Sequence, residues 1–216
     1  MLLKKRTVGQ FQSNCYLVGA QDADSMVVID PGDEPDRICT DIEETERTPV
    51  CILATHGHMD HVGAVKAVKE TYDIPFYLHE DDMYLVQNLE EQARAFGLSA
   101  PPQPEVDGHI EVGTLEPGAG LTFDVRHTPG HSPGGVTFYS SEHEQALVGD
   151  CVFAGSIGRA DFPRADHQTL IGSIKKQILT LPDDTELLPG HGPNTTVGEE
   201  KTSNPHLQQE YNQFGH

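Results

Sequence analysis

The chain has 216 residues, of which 36% are hydrophobic and 22% are charged, a composition typical of one soluble globular domain. Acidic residues outnumber basic ones by 34 to 14, which gives a formal net charge of −20; because nucleic-acid binders use basic surfaces, we expect no nucleic-acid partner. No apolar run approaches the ~20 residues of a membrane helix, and none follows the basic residues at positions 4–6, so we predict a cytoplasmic protein without a signal peptide or a membrane partner.

Strand and helix patterns alternate through the first half of the chain. Short apolar runs predict strands, and helical spacing predicts helices, in this order: strands at residues 14–18 and 26–29, a helix at 38–47, strands at 50–54 and 74–78, and a helix at 82–96. Val62, Val65 and Val68 also lie at helical spacing. The segment after residue 54 therefore connects a buried strand to a helix.

The second half of the chain also contains strand and helix patterns. The predicted elements are strands at residues 121–125, 136–139, 146–148 and 186–188, and a helix at 169–181. Thr196 and Glu199 fit a capping box for a short helix before Pro205. Two strand-rich halves with helices outside them predict an α/β fold in which two packed sheets are flanked by helices.

The cysteines are far apart in the sequence and form no CxxC pair. This spacing predicts neither a disulfide framework nor a structural zinc ribbon. We expect single buried thiols at all four positions: Cys15, Cys39, Cys51 and Cys151.

The most informative segment is the histidine-rich sequence after the strand at residues 50–54. It contains His56, His58, Asp60 and His61. If the chain leaves the strand in an extended conformation, His56 and His58 point to one side, and the turn into the helix aims Asp60 and His61 at a neighbouring point. Gly57 removes a side chain where we expect the backbone to pass close to bound metal. The alternative interpretation is a polar loop with incidental histidines.

Three later residues resemble one another in their setting: His131, Asp150 and His191 each follow a glycine at the end of a predicted strand or in a turn-rich loop. Singly, each is more simply explained as a loop residue. Together with the first cluster they predict a two-metal site, because imidazoles and carboxylates are ligands of zinc, iron and manganese. Water shared between two cations loses its proton near pH 7 and becomes a nucleophile, and Asp60 can also orient it.

These motifs resemble the metallo-β-lactamase superfamily and, within it, the short glyoxalase II-like hydrolases of bacteria. The similarity extends over residues 14–205 and is most specific in residues 149–163 and 189–198. It implies a four-layer αββα sandwich, in which two packed mixed sheets are flanked by helices, and a single domain over residues 1–216.

The resemblance also implies which residues bind the metals and what the enzyme does. One divalent ion would be held by His56, His58 and His131, the other by Asp60, His61 and His191, and Asp150 would bridge the two. Zinc is the first expectation for both ions, with iron and manganese as alternatives, and Asp60 and Asp150 are the expected catalytic residues. The implied reaction is hydrolysis of a small-molecule thioester, S-lactoylglutathione or a related glutathione thioester, whose thiolate leaves without a strong general acid.

The chain differs from full-length glyoxalase II in one respect. Those enzymes add a C-terminal helical region that holds glutathione, whereas this chain ends about 25 residues after His191. Arg159 matches a basic position that contacts glutathione in the longer enzymes, and we predict that it binds substrate; a surface salt bridge is an equally good explanation. Thioester hydrolysis is therefore a firmer prediction than the identity of the thiol.

Other functions fit the same motifs. A persulfide dioxygenase would use one iron on His56, His131 and Asp150, and a lactonase or a non-catalytic metal-binding module are further alternatives.

Two polar residues near the candidate ligands in the sequence are not expected to bind metal themselves. We expect His127 to be a half-buried histidine with its hydrogen bonds satisfied, and Asp30 to be either an anchor for a ligand histidine or a turn residue.

Overall fold

Two mixed β-sheets packed face to face form the centre of the computed structural model, which describes residues 1–208. The first sheet contains, in this spatial order, β1 (Leu2–Val8), β2 (Ser13–Val18), β3 (Ser25–Ile29), β4 (Thr48–Leu53), β5 (Phe76–Leu78) and β6 (Gly108–His109). The pairs β1–β2 and β2–β3 are antiparallel, whereas β3 to β6 run parallel to one another.

The second sheet is built from the later part of the chain. It contains β7 (Gly113–Gly118), β8 (Leu121–His127), β9 (Val136–Ser140) and β10 (Gln145–Gly149), then, after a separate hairpin of β11 (Val152–Phe153) and β12 (Ser156–Ile157), β13 (Glu186–Pro189) and β14 (Thr195–Thr196). The pair β10–β13 is parallel and the other pairs are antiparallel. Because β10 and β13 run side by side in the same direction, the segments that follow them leave the sheet at the same edge.

Helices cover the outer faces of both sheets. Over the first sheet are α1 (Pro35–Glu44), α2 (Met59–Val62), α3 (Val65–Tyr72), a 3₁₀ turn at Glu80–Asp82, α4 (Met83–Gln87) and α5 (Leu89–Ala95). Over the second are α6 (His167–Ser173), which continues as a π-helical turn at Ile174–Ile178, then α7 (Val197–Ser203) and α8 (Pro205–Gln208). No helix within residues 1–208 is long and apolar enough to cross a membrane.

Alternating side chains on the central strands divide the core into three apolar layers. On β3, Val27 and Ile29 pack between the two sheets, whereas Met26 and Val28 pack under the helices of the first sheet. Strands that are buried on both faces read as continuous apolar runs, which explains why the sequence pattern located them. The predicted four-layer αββα architecture is confirmed.

The predicted strands are confirmed with small changes at their ends, but three helices differ from the sequence prediction. The helix predicted at 169–181 begins at His167 and ends at Ile178, its last part being the π-helical turn. Residues 82–96 do not form one helix, because the backbone leaves the helical conformation at Asn88 and its side-chain amide donates to Tyr84 O at 2.6 Å. Helix α1 begins at Pro35, three residues before the predicted start, since proline is well tolerated in the first turn of a helix. The predicted N-cap at Thr196 is confirmed, because its Oγ1 accepts from Glu199 N at 3.2 Å.

Strand β1 was not predicted, because its basic residues interrupt the apolar pattern. Arg6 and Lys4 both pair with the buried carboxylate of Asp41 on α1, so their charges are compensated at this sheet edge. All four cysteines are free, and Cys39 is half-buried rather than buried. The last eight residues of the predicted domain, 209–216, lie outside the described part of the chain.

Candidate metal centre

The seven predicted ligands meet at one edge of the sandwich, where several strands end. His56 follows β4, and His58, Asp60 and His61 lie at the start of α2. The remaining three come from the second sheet: His131 from the β8–β9 loop, Asp150 directly after β10, and His191 two residues after the end of β13. Residues up to 135 positions apart in the sequence are thus brought together by the packing of the two sheets.

The first cluster consists of His56, His58 and His131. One ring nitrogen from each lies within 4.8 Å of the others. His58 Nδ1 and His131 Nε2 are 2.9 Å apart, and the rings of His56 and His58 meet edge to face with centroids 4.9 Å apart. Three imidazoles around one point give a set of nitrogen donors without a carboxylate.

The second cluster consists of Asp60, His61 and His191, whose donor atoms also lie within 4.8 Å of one another. Asp60 Oδ2 is 3.2 Å from His191 Nε2 and 3.7 Å from His61 Nε2, and the two imidazole nitrogens are 3.4 Å apart. This cluster therefore combines two nitrogen donors with a negatively charged oxygen.

Asp150 lies between the two clusters. Its Oδ2 is 3.5 Å from His131 Nε2 in the first cluster and 3.4 Å from His191 Nε2 in the second. Its Oδ1 is 3.4 Å from His61 Nε2. One carboxylate is thus in reach of donor atoms on both sides, which is the position of a bridging ligand.

The donor atoms fit a pair of metal ions. Nitrogen and oxygen ligands of zinc lie about 2.0–2.2 Å from the ion, so tetrahedral neighbours are about 3.4 Å apart, close to most separations in the two clusters. His56 Nε2 and Asp150 Oδ1 are buried and have no hydrogen-bond partner among the described residues. Buried polar atoms are rarely left unpaired, and bound cations would satisfy both.

Hydrogen bonds on the far side of the rings hold the histidines in this orientation. His131 Nδ1 donates to Arg159 O at 2.7 Å, and His191 Nδ1 donates to Phe11 O at 3.0 Å. His61 Nδ1 lies 3.0 Å from Asp30 Oδ2. When Nδ1 carries the proton, the lone pair of Nε2 faces the centre and is free to bind a cation.

Asp30 thus contacts the ring of His61, in agreement with its interpretation as an anchor for a candidate ligand histidine. Its Oδ1 accepts from Thr55 N at 2.7 Å and its Oδ2 accepts from Thr55 Oγ1 at 2.6 Å. The residue is buried and has a positive φ of 51°, so it also forms the turn. The same carboxylate therefore fixes the segment before His56 and the ring of His61.

Asp82 is the main residue that sequence reasoning missed. Its Oδ2 accepts from Gly57 N at 2.9 Å and from Ser132 Oγ at 2.7 Å, and its Oδ1 accepts from Gly134 N at 2.6 Å. It thereby ties the loop that carries His56 to the loop that carries His131. The sequence placed Asp82 at the start of a helix and contained no signal of this contact.

Two glycines have different reasons to be small. A side chain at Gly190 would lie 2.1 Å from Asp150 Oδ1 and 2.7 Å from His61 Cε1, so this glycine makes room for the ligands. The expectation for Gly57 was wrong, since its missing Cβ faces the backbone of Asp82 and the side chain of Leu85 instead of the ligands. Gly57 permits the close approach of α4.

Without bound metal, the two clusters have opposite electrostatic character. Burial lowers the pKa of His58 to about 3, and burial lowers the pKa of His56 as well, so both imidazoles are neutral. Burial also disfavours the charged form of His191, but hydrogen bonds to Asp150 and Asp60 outweigh it and raise its pKa to about 10. The carboxylate-rich side therefore attracts positive charge.

Arg159 lies at the rim, outside the clusters. Its guanidinium is exposed, pairs with Asp161 at 2.8 and 2.9 Å, and stacks 4.5 Å from the centre of the Phe162 ring. Phe162 in turn contacts His58, with ring centroids 5.1 Å apart. The surface salt bridge is thus present, beside the mouth of the site. His127, as expected, is half-buried with its Nε2 2.8 Å from Pro133 O.

Comparisons with known proteins point to one family. The family model described as the metallo-beta-lactamase superfamily matches residues 8–191. A similar curated protein is the hydroxyacylglutathione hydrolase GloC of Haemophilus influenzae, 41% identical over 207 residues that cover 93% of this chain and 95% of that protein.

Two solved structures share both fold and sequence with this chain. The BLEG-1 B3 metallo-beta-lactamase has a TM-score of 0.89 and 38% identity, and the match covers 95% of this chain and 99% of that one. TTHA1623, solved in a di-iron-bound form, has a TM-score of 0.87 and 44% identity, with 95% and 100% covered. The fold and the two clusters together indicate a dinuclear site for divalent metal ions.

Proposed function

Since the chain belongs to the metallo-beta-lactamase superfamily of metal-dependent hydrolases, we propose that it is a thioesterase of the glyoxalase II type. Its proposed substrate is S-lactoylglutathione or a related glutathione thioester. The similarity to GloC supports this substrate class. The observation that carries the proposal is the position of Asp150 between two three-residue clusters, because a carboxylate in reach of both can hold two metal ions close enough together to act on one substrate.

We assign the ligands as the sequence predicted them, with one ion on His56, His58 and His131, the other on Asp60, His61 and His191, and Asp150 shared. When bound, two divalent cations supply an activated water and polarise the carbonyl oxygen of the substrate. We propose zinc for both positions, and the di-iron form of TTHA1623 makes iron the alternative to test.

The side chains of this protein then position the reactants. The Asp60 carboxylate is partly exposed and lies beside His191, where it can accept a proton from the attacking water and direct its lone pair at the carbonyl carbon. The thiolate leaves as a stable anion, so no strong general acid is needed. We propose that Arg159, which stacks on Phe162 at the rim, exchanges its exposed pairing with Asp161 for a substrate carboxylate; the weakness of an exposed ion pair supports this.

In the alternative function, a persulfide dioxygenase, only three ligands would be needed to bind one iron: His56, His131 and Asp150. The second cluster would then be unused, although it has three donors at ligand spacing and outer anchors at Asp30 and Phe11. Two metal ions per chain would therefore favour the hydrolase, and a single iron the dioxygenase. We further propose that the chain acts as one domain in the cytoplasm on a small molecule, without nucleic-acid or membrane partners.

The proposal is tested by assaying purified protein of known metal content on S-lactoylglutathione, and by measuring oxygen uptake with glutathione persulfide in parallel. We expect thioester hydrolysis by protein that contains about two metal ions per chain, and no oxygen uptake. Rapid uptake by protein with one iron per chain, without thioester hydrolysis, would refute the proposal.

A further inference from the structure

A cleft of about 400 Å³ lies beside the second cluster. Its walls are the turn between β1 and β2, the turn at Gly32 and Asp33, the start of α2, and residues 97–101. Small-molecule sites usually have volumes of about 300–1,000 Å³, so the cleft is large enough for part of a substrate. None of the metal ligands except Asp60 lines it.

The cleft is connected to the metal centre through two residues. Asp60 belongs both to the cleft wall and to the second cluster. Phe11 lines the cleft, its backbone oxygen accepts from His191 Nδ1, and its ring meets Phe96 edge to face with centroids 5.0 Å apart. A group in the cleft is therefore bounded by Asp60, which belongs to the second cluster, and by Phe11, which lies behind the His191 ring.

The chemistry of the walls disfavours an anionic occupant. Phe11, Met59, Leu98 and Pro101 supply apolar surface, and none of the described lining residues is basic. The charged side chains in the wall, Asp33 and Asp60, are acidic and would repel a carboxylate. The cationic Arg159 stacks on Phe162, which contacts the histidines of the first cluster instead.

One polar group in the wall has no partner. Ser13 lines the cleft, is 1% exposed, and its Oγ makes no hydrogen bond to any residue of the described chain. A buried hydroxyl is normally paired, so it is available to an oxygen of the occupant. An apolar cleft with one such hydroxyl suits a neutral group of modest polarity.

We infer that this cleft binds the acyl group of the thioester, while the charged thiol part lies toward Arg159. This inference rests on the proposed function and adds a substrate preference. Since a liquid water occupies about 30 Å³, the cleft has the volume of roughly a dozen waters, far more than a lactoyl group fills. The enzyme therefore takes uncharged acyl groups larger than lactoyl, such as medium-length aliphatic or aromatic ones.

Binding of thioether analogues tests the inference separately from catalysis. S-methylglutathione and S-hexylglutathione cannot be hydrolysed, and their affinities for the metal-loaded protein are measured by calorimetry. We expect the hexyl compound to bind at least about tenfold more tightly. Ser99→Trp and Gln10→Trp place an indole at the cleft from two walls, at exposed positions, and each is expected to reduce this ratio to near one.

Val112→Trp is the matched control, since Val112 is 60% exposed and does not line the cleft; it should keep the wild-type ratio. A hexyl preference that is absent, or that survives in both cleft variants, would overturn the inference. Turnover of S-lactoylglutathione by the wild type is measured in a parallel experiment and tests the proposed function alone. Failure of the proposed function can therefore be distinguished from failure of the inference about the cleft.

Discussion

The two clusters of the candidate metal centre lie on either side of Asp150 but differ in charge. The first cluster offers three imidazoles, and burial keeps His56 and His58 neutral. In the second, carboxylates outweigh burial and favour positive charge on His191. The second cluster also has a buried carboxylate behind it, because Asp30 contacts His61. Two sites a few ångströms apart are therefore not equivalent, and we expect the second to bind its cation more tightly.

Removal of the shared carboxylate should have the largest effect. Asp150→Ala takes away the one residue in reach of both clusters, so we expect turnover to fall on the order of a thousandfold and the metal content to fall below two per chain. Thioester assays and elemental analysis of the same sample measure both. Asp184→Asn, at an exposed position outside the metal centre, is the control. A variant that keeps two metals and full turnover would refute the bridging role.

The inequality between clusters is tested by stepwise chelation. Because the first cluster lacks a carboxylate of its own, its ion should dissociate first, with an affinity about tenfold weaker, or roughly 1.4 kcal/mol. Titration with a chelator, followed by metal analysis, should show two steps. His131→Ala should abolish the weaker step and keep the tighter one. Two ions that dissociate together in the wild type would contradict this expectation.

Asp82 should affect the relative metal affinities of the two clusters, although it touches no candidate ligand atom. Asp82→Asn replaces an oxygen acceptor by a donor in a site where backbone and hydroxyl groups donate, so we expect a loss of about 1–3 kcal/mol in the free energy of unfolding. Because Asp82 holds the His56 and His131 loops together, the affinity of the first cluster should fall more than that of the second. The control is Asp81→Asn, at the exposed neighbouring residue, which should change neither the free energy of unfolding nor the metal affinities.

The smallest predicted effect is a loss of stability when an ion pair outside the metal centre is removed. The hydrogen bond from Arg6, opposed by burial and assisted by Lys4, lowers the pKa of Asp41, so this carboxylate stabilises the fold above its unfolded-state pKa of about 3.9. Asp41→Asn should lower the free energy of unfolding by about 1–2 kcal/mol at pH 7. The difference from wild type should shrink as the pH falls below about 4. Thermal unfolding from pH 3 to 7 measures this.

The exposed residue Asp36 on the same helix gives the control Asp36→Asn, for which we expect no change across this pH range. A wild-type advantage over Asp41→Asn that grows on acidification would contradict the assigned direction of the pKa shift. Metal content should be equal in all three proteins, because the pair lies outside both clusters.

The fold could be predicted where local pattern and burial agree. Strands β3, β4, β10 and β13 are buried on both faces, and their continuous apolar runs gave their positions. The candidate ligands could also be found in the sequence, because His56, His58, Asp60 and His61 lie close together and the later three follow glycines after strands or in a turn-rich loop. Strand β1 was missed because Lys4, Lys5 and Arg6 mask its apolar side.

What could not be predicted depends on contacts between distant segments. The carboxylate of Asp82 acts on Gly57 and on the loop around Ser132, contacts that exist only after the two sheets pack. The break at Asn88 likewise has no proline or glycine to announce it. The cleft beside Asp60 is formed by four separate segments, so no local motif encodes it.

The central claim is that Asp150 joins two cation sites, and a crystal structure of the metal-loaded protein with anomalous scattering data tests it most directly. We expect two anomalous peaks a few ångströms apart, one among His56, His58 and His131, the other among Asp60, His61 and His191, with a carboxylate oxygen of Asp150 bound to each ion or shared by both. A single peak at full metal loading, or a second peak elsewhere on the surface, would contradict the account.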